Sequence, residues 1–135
     1  MSFTFQQKIL FKHCDPAGIV FYPRYFEIIN DAVETLFDQV FHWPFEKLHQ
    51  QGSVPTVSFN ITFIAPSRHG DTLELAIRIL RVGGASMTLD ITARAGSETR
   101  FTAEQVLVHT DRAGRPRPWS AELRHIANPL VEDQT

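Results

Sequence analysis

The segment Lys12-His13-Cys14-Asp15-Pro16-Ala17-Gly18-Ile19-Val20-Phe21-Tyr22-Pro23 concentrates the residue types that can do chemistry. Pro16 pushes Asp15 towards extended backbone, and Ala17-Gly18 permits a turn immediately after it. Pro23 suits the first position of a helix, where a missing N–H costs nothing. The chain therefore enters a helix here, and a helix N-terminus offers unpaired N–H groups and a partial positive charge. Such a donor stabilises the oxyanion that forms when a carbonyl is attacked. A carboxylate nearby can act as nucleophile or as general base towards water. Acyl transfer needs both parts, and this segment can supply both. On the residues alone, a plain turn-forming role for an aspartate before proline stays open beside that reading.

The other reactive side chains are less organised. Cys14 has no assigned base, and alternation at a strand end turns it away from Asp15, so it reads as packing. The histidines at 13, 42, 49, 69, 109 and 125 have no Cys or carboxylate cluster to complete a metal site, and no metal is expected. His13 either tunes Asp15 or holds the turn. Glu27, Asp31 and Glu34 read as a solvated helix face. Arg112, Arg115 and Arg117, followed by Pro118 and Trp119, make either a solvated basic tail or a phosphate site, since guanidinium forks match phosphate oxygens. Arg68 and His69 are weaker candidates for the same task. Phe41, Trp43 and Phe45 either line an acyl pocket or belong to a core or interface.

The elements that must position these groups follow from periodicity. Phe3, Phe5, Ile9 and Phe11 alternate with Gln6, Lys8 and Lys12, which predicts a half-buried strand. From Pro23, a helix is predicted with Phe26, Ile29, Val33, Leu36, Phe37 and Val40 inward, widened by Ile28 and Ala32. Glu27, Asn30, Asp31, Glu34 and Asp38 face outward. A short helical piece runs from Pro44 to Gln51. The period then becomes two around Val57–Phe63, Leu73–Ile79 and Met87–Ala93, with a last strand near Thr99 to Asp111 whose Val106-Leu107-Val108 end reads as buried on both faces. Gly83-Gly84 and Gly96-Ser97 mark hairpins, and Pro66 to Gly70 a longer connection. One apolar helix and a one-sided antiparallel sheet bury each other when the sheet wraps the helix, an α+β arrangement. Its open strand edges favour a homodimer or homotetramer.

Composition bounds the reading. The 135 residues fit one domain, 1–135, and 43% hydrophobic with 21% charged residues is globular in balance. A net charge of -2 argues against nucleic acid as a partner. One cysteine excludes an internal disulfide and fits a reducing compartment. The N-terminal alternation lacks the apolar core of a signal peptide, and nothing approaches the roughly 18 apolar residues of a membrane span. A cytoplasmic protein with no membrane partner is the expectation.

The run Asp15-Pro16-Ala17-Gly18-Ile19-Val20-Phe21-Tyr22-Pro23, after a short strand and opening a long helix, resembles the 4-hydroxybenzoyl-CoA thioesterase family of hot-dog proteins. The resemblance implies a five-stranded antiparallel sheet around a long central helix, with two such units paired and sites at their interface. It implies Asp15 as the catalytic carboxylate and the backbone N–H of Tyr22 as donor to the thioester oxygen. It implies an acyl-CoA substrate, aryl-CoA in particular, and no cofactor, because a thioester is already activated. Arg115 and Arg117, then Arg68, become candidates for the CoA phosphates, and Trp43 for the acyl pocket. His13 and Arg24 depart from the family pattern. A short-chain acyl-CoA or acyl-carrier-protein thioesterase is the neighbouring alternative, and a non-hydrolytic acyl-CoA-binding hot-dog protein is the alternative of another class.

Overall fold

A computed structural model describes residues 2–132. Strand β1 (Phe3–Lys8) leads through a 3-10 turn (Phe11–His13) and a reversing loop into helix α1 (Pro23–Gln39). The short helix α2 (Phe45–Leu48) follows, then β2 (Gly52–Ser53) and β3 (Thr56–Phe63). Next come β4 (Thr72–Val82), β5 (Ser86–Ala95), β6 (Glu98–Val108) and β7 (Thr110–Asp111), then α3 (Ala121–Ala127) and a 3-10 turn (Asn128–Leu130). Five strands form one antiparallel sheet in the order β1-β4-β5-β6-β3, and β2 pairs with β7 as a small separate ribbon. The hairpin turns stand where the glycines place them: Gly96-Ser97 joins β5 to β6, with Gly96 at φ +61°.

The alternating residues of β4, β5 and β6 put Leu73, Leu75, Ile77, Met87, Leu89, Ile91 and Phe101 on one face, all buried. Against that face packs α1 through Tyr25, Ile28, Ile29, Ala32, Val33, Leu36 and Phe37. Its opposite side, Glu27, Asn30, Asp31, Glu34 and Asp38, is exposed, as the periodicity predicts. The sheet thus covers one side of the helix and leaves a polar stripe open.

Several expectations need correction. The first strand stops at Lys8, and Phe11 is 82% exposed on the 3-10 turn instead of sharing the inner face. The cause is local: Leu10 N–H donates to His13 Nδ1 at 2.9 Å, which closes the turn and ends the alternation. On α1 the inward aromatic near the start is Tyr25, with Phe26 turned outward. At the end of β6, Leu107 is buried but Val106 and Val108 are half-buried. The C-terminal segment is not a solvated tail throughout. Trp119 is buried, and Ser120 caps α3 by accepting the Leu123 N–H at 3.1 Å.

The two sheet edges differ in chemistry. On β1 the exposed side chains are Thr4, Gln6 and Lys8, and a lysine on an edge discourages further pairing. β3 carries no charge, and Val57 is 59% exposed, with Phe63 and Ile64 exposed beside it. That edge is open and uncharged, with Thr56, Ser58, Asn60 and Thr62 exposed alongside the apolar Val57 and Phe63.

Candidate active site

Asp15 sits on a closed turn. Its N–H donates to Ile19 O, and Gly18 N–H donates to Asp15 O, both at 2.9 Å. Gly18 has φ +81°, a conformation that a side chain would strain, so the glycine is required there. Ala17 N–H donates to Asp15 Oδ1 at 2.9 Å, which fixes the carboxylate's direction. Among the described residues no group donates to Oδ2, so that oxygen is available to attack or to activate water. The legs of the turn pair through Cys14 and Val20, and Phe21 N–H donates to His13 O at 2.9 Å.

A rail from the 64–71 connection holds this turn. Val20 N–H donates to Ser67 O at 2.9 Å, and Ile19 bridges Arg68. The rail is held in turn by Arg100 of β6. Its Nη1 donates to Pro66 O (3.1 Å), Ser67 Oγ (3.1 Å) and Asp71 Oδ2 (2.8 Å), and its Nε lies 2.6 Å from Glu98 Oε1. The Arg100 guanidinium, together with the Arg68 N–H, holds the Asp71 carboxyl below the usual carboxylate range. Sequence reasoning missed Arg100 and Asp71. Neither belongs to a motif, and only the fold brings β6 under the 64–71 connection.

Tyr22 is the N-cap of α1, with φ -52° and ψ -34° and Pro23 immediately after it. No side chain caps this end, and the first turn holds no acidic residue, so its partial positive charge is uncompensated by side chains. Arg24 N–H and Tyr25 N–H turn back to Phe21 O and Tyr22 O. The Tyr22 N–H donates to none of the described residues. The exposed Tyr22 ring meets Phe63 edge-on at 6.1 Å, which ties this end of the helix to the far end of the β3 edge.

His13 holds the turn. Its ring is buried and Nδ1 accepts the Leu10 N–H, so the neutral ring carries its proton on Nε2. Burial, helped by Lys12, lowers its pKa below the ordinary imidazole value. The acidic groups that act on it are Glu27 and Asp31 of α1. Cys14 is half-buried against the core with Sγ 3.6 Å from Leu10 O, the packing role expected of it. Arg24 pairs with Glu27 at 2.8 Å on the helix surface.

The remaining candidates separate into two places. Arg68 lies beside the Asp15 turn through its bridge to Ile19, and the His69 ring stands 6.1 Å from Phe11. Trp43, Arg115 and Arg117 lie past the other end of α1, whose 17 residues span about 25 Å. Trp43 and Arg117 line one cavity of about 270 Å³, where Trp43 meets the buried His109 edge-on at 5.3 Å. Arg115 is 79% exposed, with Nε 3.7 Å from Asp111 Oδ2. Arg112 is committed elsewhere, its guanidinium donating to Gln50 O. Phe41 is buried in the core, and Phe45 packs on Phe37 at 5.5 Å. One chain therefore does not bring Arg115, Arg117 or Trp43 to Asp15. Among the described residues no group of three His, Cys, Asp or Glu could hold a metal ion, and no helix is long and apolar enough to cross a membrane.

Comparison with known proteins places this geometry. The 4-hydroxybenzoyl-CoA thioesterase of Pseudomonas sp. (strain CBS-3) is 35% identical over 77 residues, a match that spans 55% of this chain and 55% of that protein. The chain thus spans about half the length of that curated relative. The crystal structure of a 1,4-dihydroxy-2-naphthoyl-CoA thioesterase from Synechocystis superposes with a TM-score of 0.87 at 18% identity, covering 96% of this chain and 98% of that one. A mutant 4-hydroxybenzoyl-CoA thioesterase complexed with 4-hydroxybenzoyl-CoA superposes with a TM-score of 0.81 at 23% identity, covering 93% and 98%. These likenesses establish the hot-dog fold, a five-stranded antiparallel sheet with a long helix packed against it. The pattern of the thioesterase-like superfamily matches residues 9–126, which takes in the Asp15 turn, α1 and the whole sheet except β1. The chain belongs to the thioesterase-like superfamily.

Proposed function

We propose that this protein hydrolyses an acyl-CoA thioester, with an aryl acyl group, to the free acid and CoA. The observation that carries the reading is the pairing of a carboxylate whose Oδ2 is unpartnered with a helix N-terminus whose first N–H, at Tyr22, is also unpartnered. In the reaction the Tyr22 N–H polarises the thioester carbonyl and receives the growing negative charge. Asp15 either attacks the carbonyl carbon, expelling CoA thiolate and leaving a mixed anhydride that water then hydrolyses, or takes a proton from a water that attacks the carbonyl and expels the thiolate. The thiolate of CoA is a good leaving group, so no cofactor is required. The preference for aryl groups rests on the Pseudomonas relative, a 4-hydroxybenzoyl-CoA thioesterase, and on the aromatic surface of Tyr22 and Phe63 beside the site. A panel of aryl, short-chain and long-chain thioesters, with released thiol followed by a chromogenic reagent, tests this. Aryl-CoA esters are expected to turn over fastest. Binding of esters without any release of thiol would make the protein an acyl-CoA binder.

The active unit is at least a dimer. The open, uncharged edge of β3 suits antiparallel pairing about a two-fold axis, which would join two sheets into one. Such pairing sets the Thr56 end of one β3 beside the Phe63 end of the other. The partner's Arg115 and Arg117 are then carried towards this chain's Asp15 turn, which removes the separation seen within one chain. Light scattering at micromolar concentration is expected to give twice the chain mass or more, and a monomer would overturn the shared site.

Arg115 and Arg117 hold CoA phosphates in this arrangement. Phosphates bind alike in the ground and transition states, so replacing both arginines with alanine should raise KM more than it lowers kcat. Removing each guanidinium–phosphate hydrogen bond should cost about 1–3 kcal/mol. An unchanged KM for the CoA ester would return these residues to a solvated surface.

A further inference from the structure

The inward row of β6 reads Phe101, Ala103, Gln105, Leu107, and all four are buried. Gln105 is the odd member: an amide 5% exposed among core positions. Its Nε2 donates to Thr56 Oγ1 at 2.8 Å, while Oε1 is shut from water with no hydrogen-bond partner. Buried polar atoms are normally paired, and an apolar residue would fill this position at no such cost. Gln105 forms part of the wall of a pocket of about 560 Å³ that also includes Asn30, Glu34, Phe45, Thr56 and Leu107. One wall is thus the open polar stripe of α1, and another is the beginning of the β3 edge.

We propose that Gln105 is a specificity-determining residue that selects acyl groups bearing a hydroxyl. The proposal rests on the hydrolase reading and on pairing of the β3 edges. That pairing sets the partner subunit's Thr56 end, and with it this pocket, beside the Phe63 end where Tyr22 and Asp15 stand. An aryl group whose thioester lies at Asp15 then projects into the partner's pocket. The last torsion of a glutamine is broad, so a small rotation presents the amide to that pocket while Thr56, donor or acceptor, adjusts. A ring hydroxyl, itself donor and acceptor, satisfies whichever amide atom meets it. An unsubstituted ring leaves the amide unpaired, and that difference is the source of discrimination.

The test compares benzoyl-CoA with the 2-, 3- and 4-hydroxybenzoyl-CoA esters on wild type, Gln105→Leu and Gln105→Met. Wild type is expected to prefer the best hydroxylated ester, by kcat/KM, at least about tenfold over benzoyl-CoA. In Gln105→Leu that ratio is expected to fall to near one, mainly through loss on the hydroxylated ester, while thermal stability is kept or raised. Gln105→Met serves the same purpose if the leucine variant does not fold. A wild type indifferent to the hydroxyl, or a folded variant that keeps the wild-type ratio, would overturn the proposal. If wild type hydrolyses no thioester, the hydrolase reading fails by itself. Titration of wild type and variant with the hydroxybenzoates and with benzoate, followed by NMR, then decides the role of Gln105. Weaker binding of the best hydroxybenzoate to the variant, with benzoate unchanged, supports it, and equal binding overturns it.

Discussion

Asp15→Asn is expected to lower kcat by at least about a hundredfold, with KM little changed. Asparagine keeps the size of the side chain, and its Oδ1 can still accept the Ala17 N–H that directs the group in the native turn. The turn is held by backbone bonds that do not involve the carboxylate, so folding and substrate binding should survive. What disappears is the negative charge at Oδ2, and a neutral amide is a poor nucleophile and a poor base. General-base assistance alone contributes roughly 10²–10⁴-fold, and loss of a covalent route costs more. The Tyr22 N–H still polarises the carbonyl, so a residual rate above the uncatalysed reaction should remain. The measurement is steady-state hydrolysis of the best ester from the panel, with the variant's thermal midpoint as the check on folding. A folded variant that keeps more than a tenth of wild-type kcat would remove Asp15 from the chemistry. The carboxylates of the α1 stripe, Glu27, Asp31 and Glu34, would then come forward.

Trp119→Ala should destabilise the fold by about 3–5 kcal/mol, the usual range for emptying a buried aromatic site. Trp119 is 3% exposed. Its ring stacks on His109 with centroids 5.1 Å apart and an angle of 12°, and Phe37 of α1 lies 6.3 Å away. Its Nε1 donates to Ser86 O at 2.9 Å, and its backbone N–H donates to Gly84 O at 3.1 Å. The side chain thus pins the C-terminal segment to the β4–β5 hairpin and to the core under α1. For a chain of this length the loss corresponds to a fall in thermal midpoint of roughly 10–20 °C. Trp119→Phe keeps part of the packing while losing the rest and the indole hydrogen bond, so its fall should be smaller. A change below about 1 kcal/mol in the alanine variant would make the segment peripheral after all.

The sheet, α1 and the Asp15 turn were legible because their signals are local. Alternation over β4 and β5 specifies which residues face the core, and Pro23 with the outward carboxylates marks where α1 starts and which side stays wet. Gly18 and Gly96 announce their turns by the backbone they must adopt. Gln105 was legible in principle, since alternation already places it in line with Phe101, Ala103 and Leu107. The misreadings have a common cause. Phe11 fits the strand pattern, but the closure of the 3-10 turn by His13 outweighs an alternation of one further residue. Trp119 follows three arginines within eight residues, and composition alone cannot distinguish a solvated segment from one folded back onto a hairpin.

The sequence by itself determined the fold class, the turn that carries Asp15 and the start of α1, because their signals lie among near neighbours. Tertiary structure decided the rest. It put Arg100 against the rail of the Asp15 turn, where it pairs with Asp71, and it carried Arg115, Arg117 and Trp43 to the far end of α1. It also made β3 the uncharged edge of the sheet, opposite the lysine-bearing edge of β1. These are relations between residues tens of positions apart. Their free energy comes from burial and pairing that exist only once the sheet has closed on the helix, so no local pattern in the chain can encode them legibly.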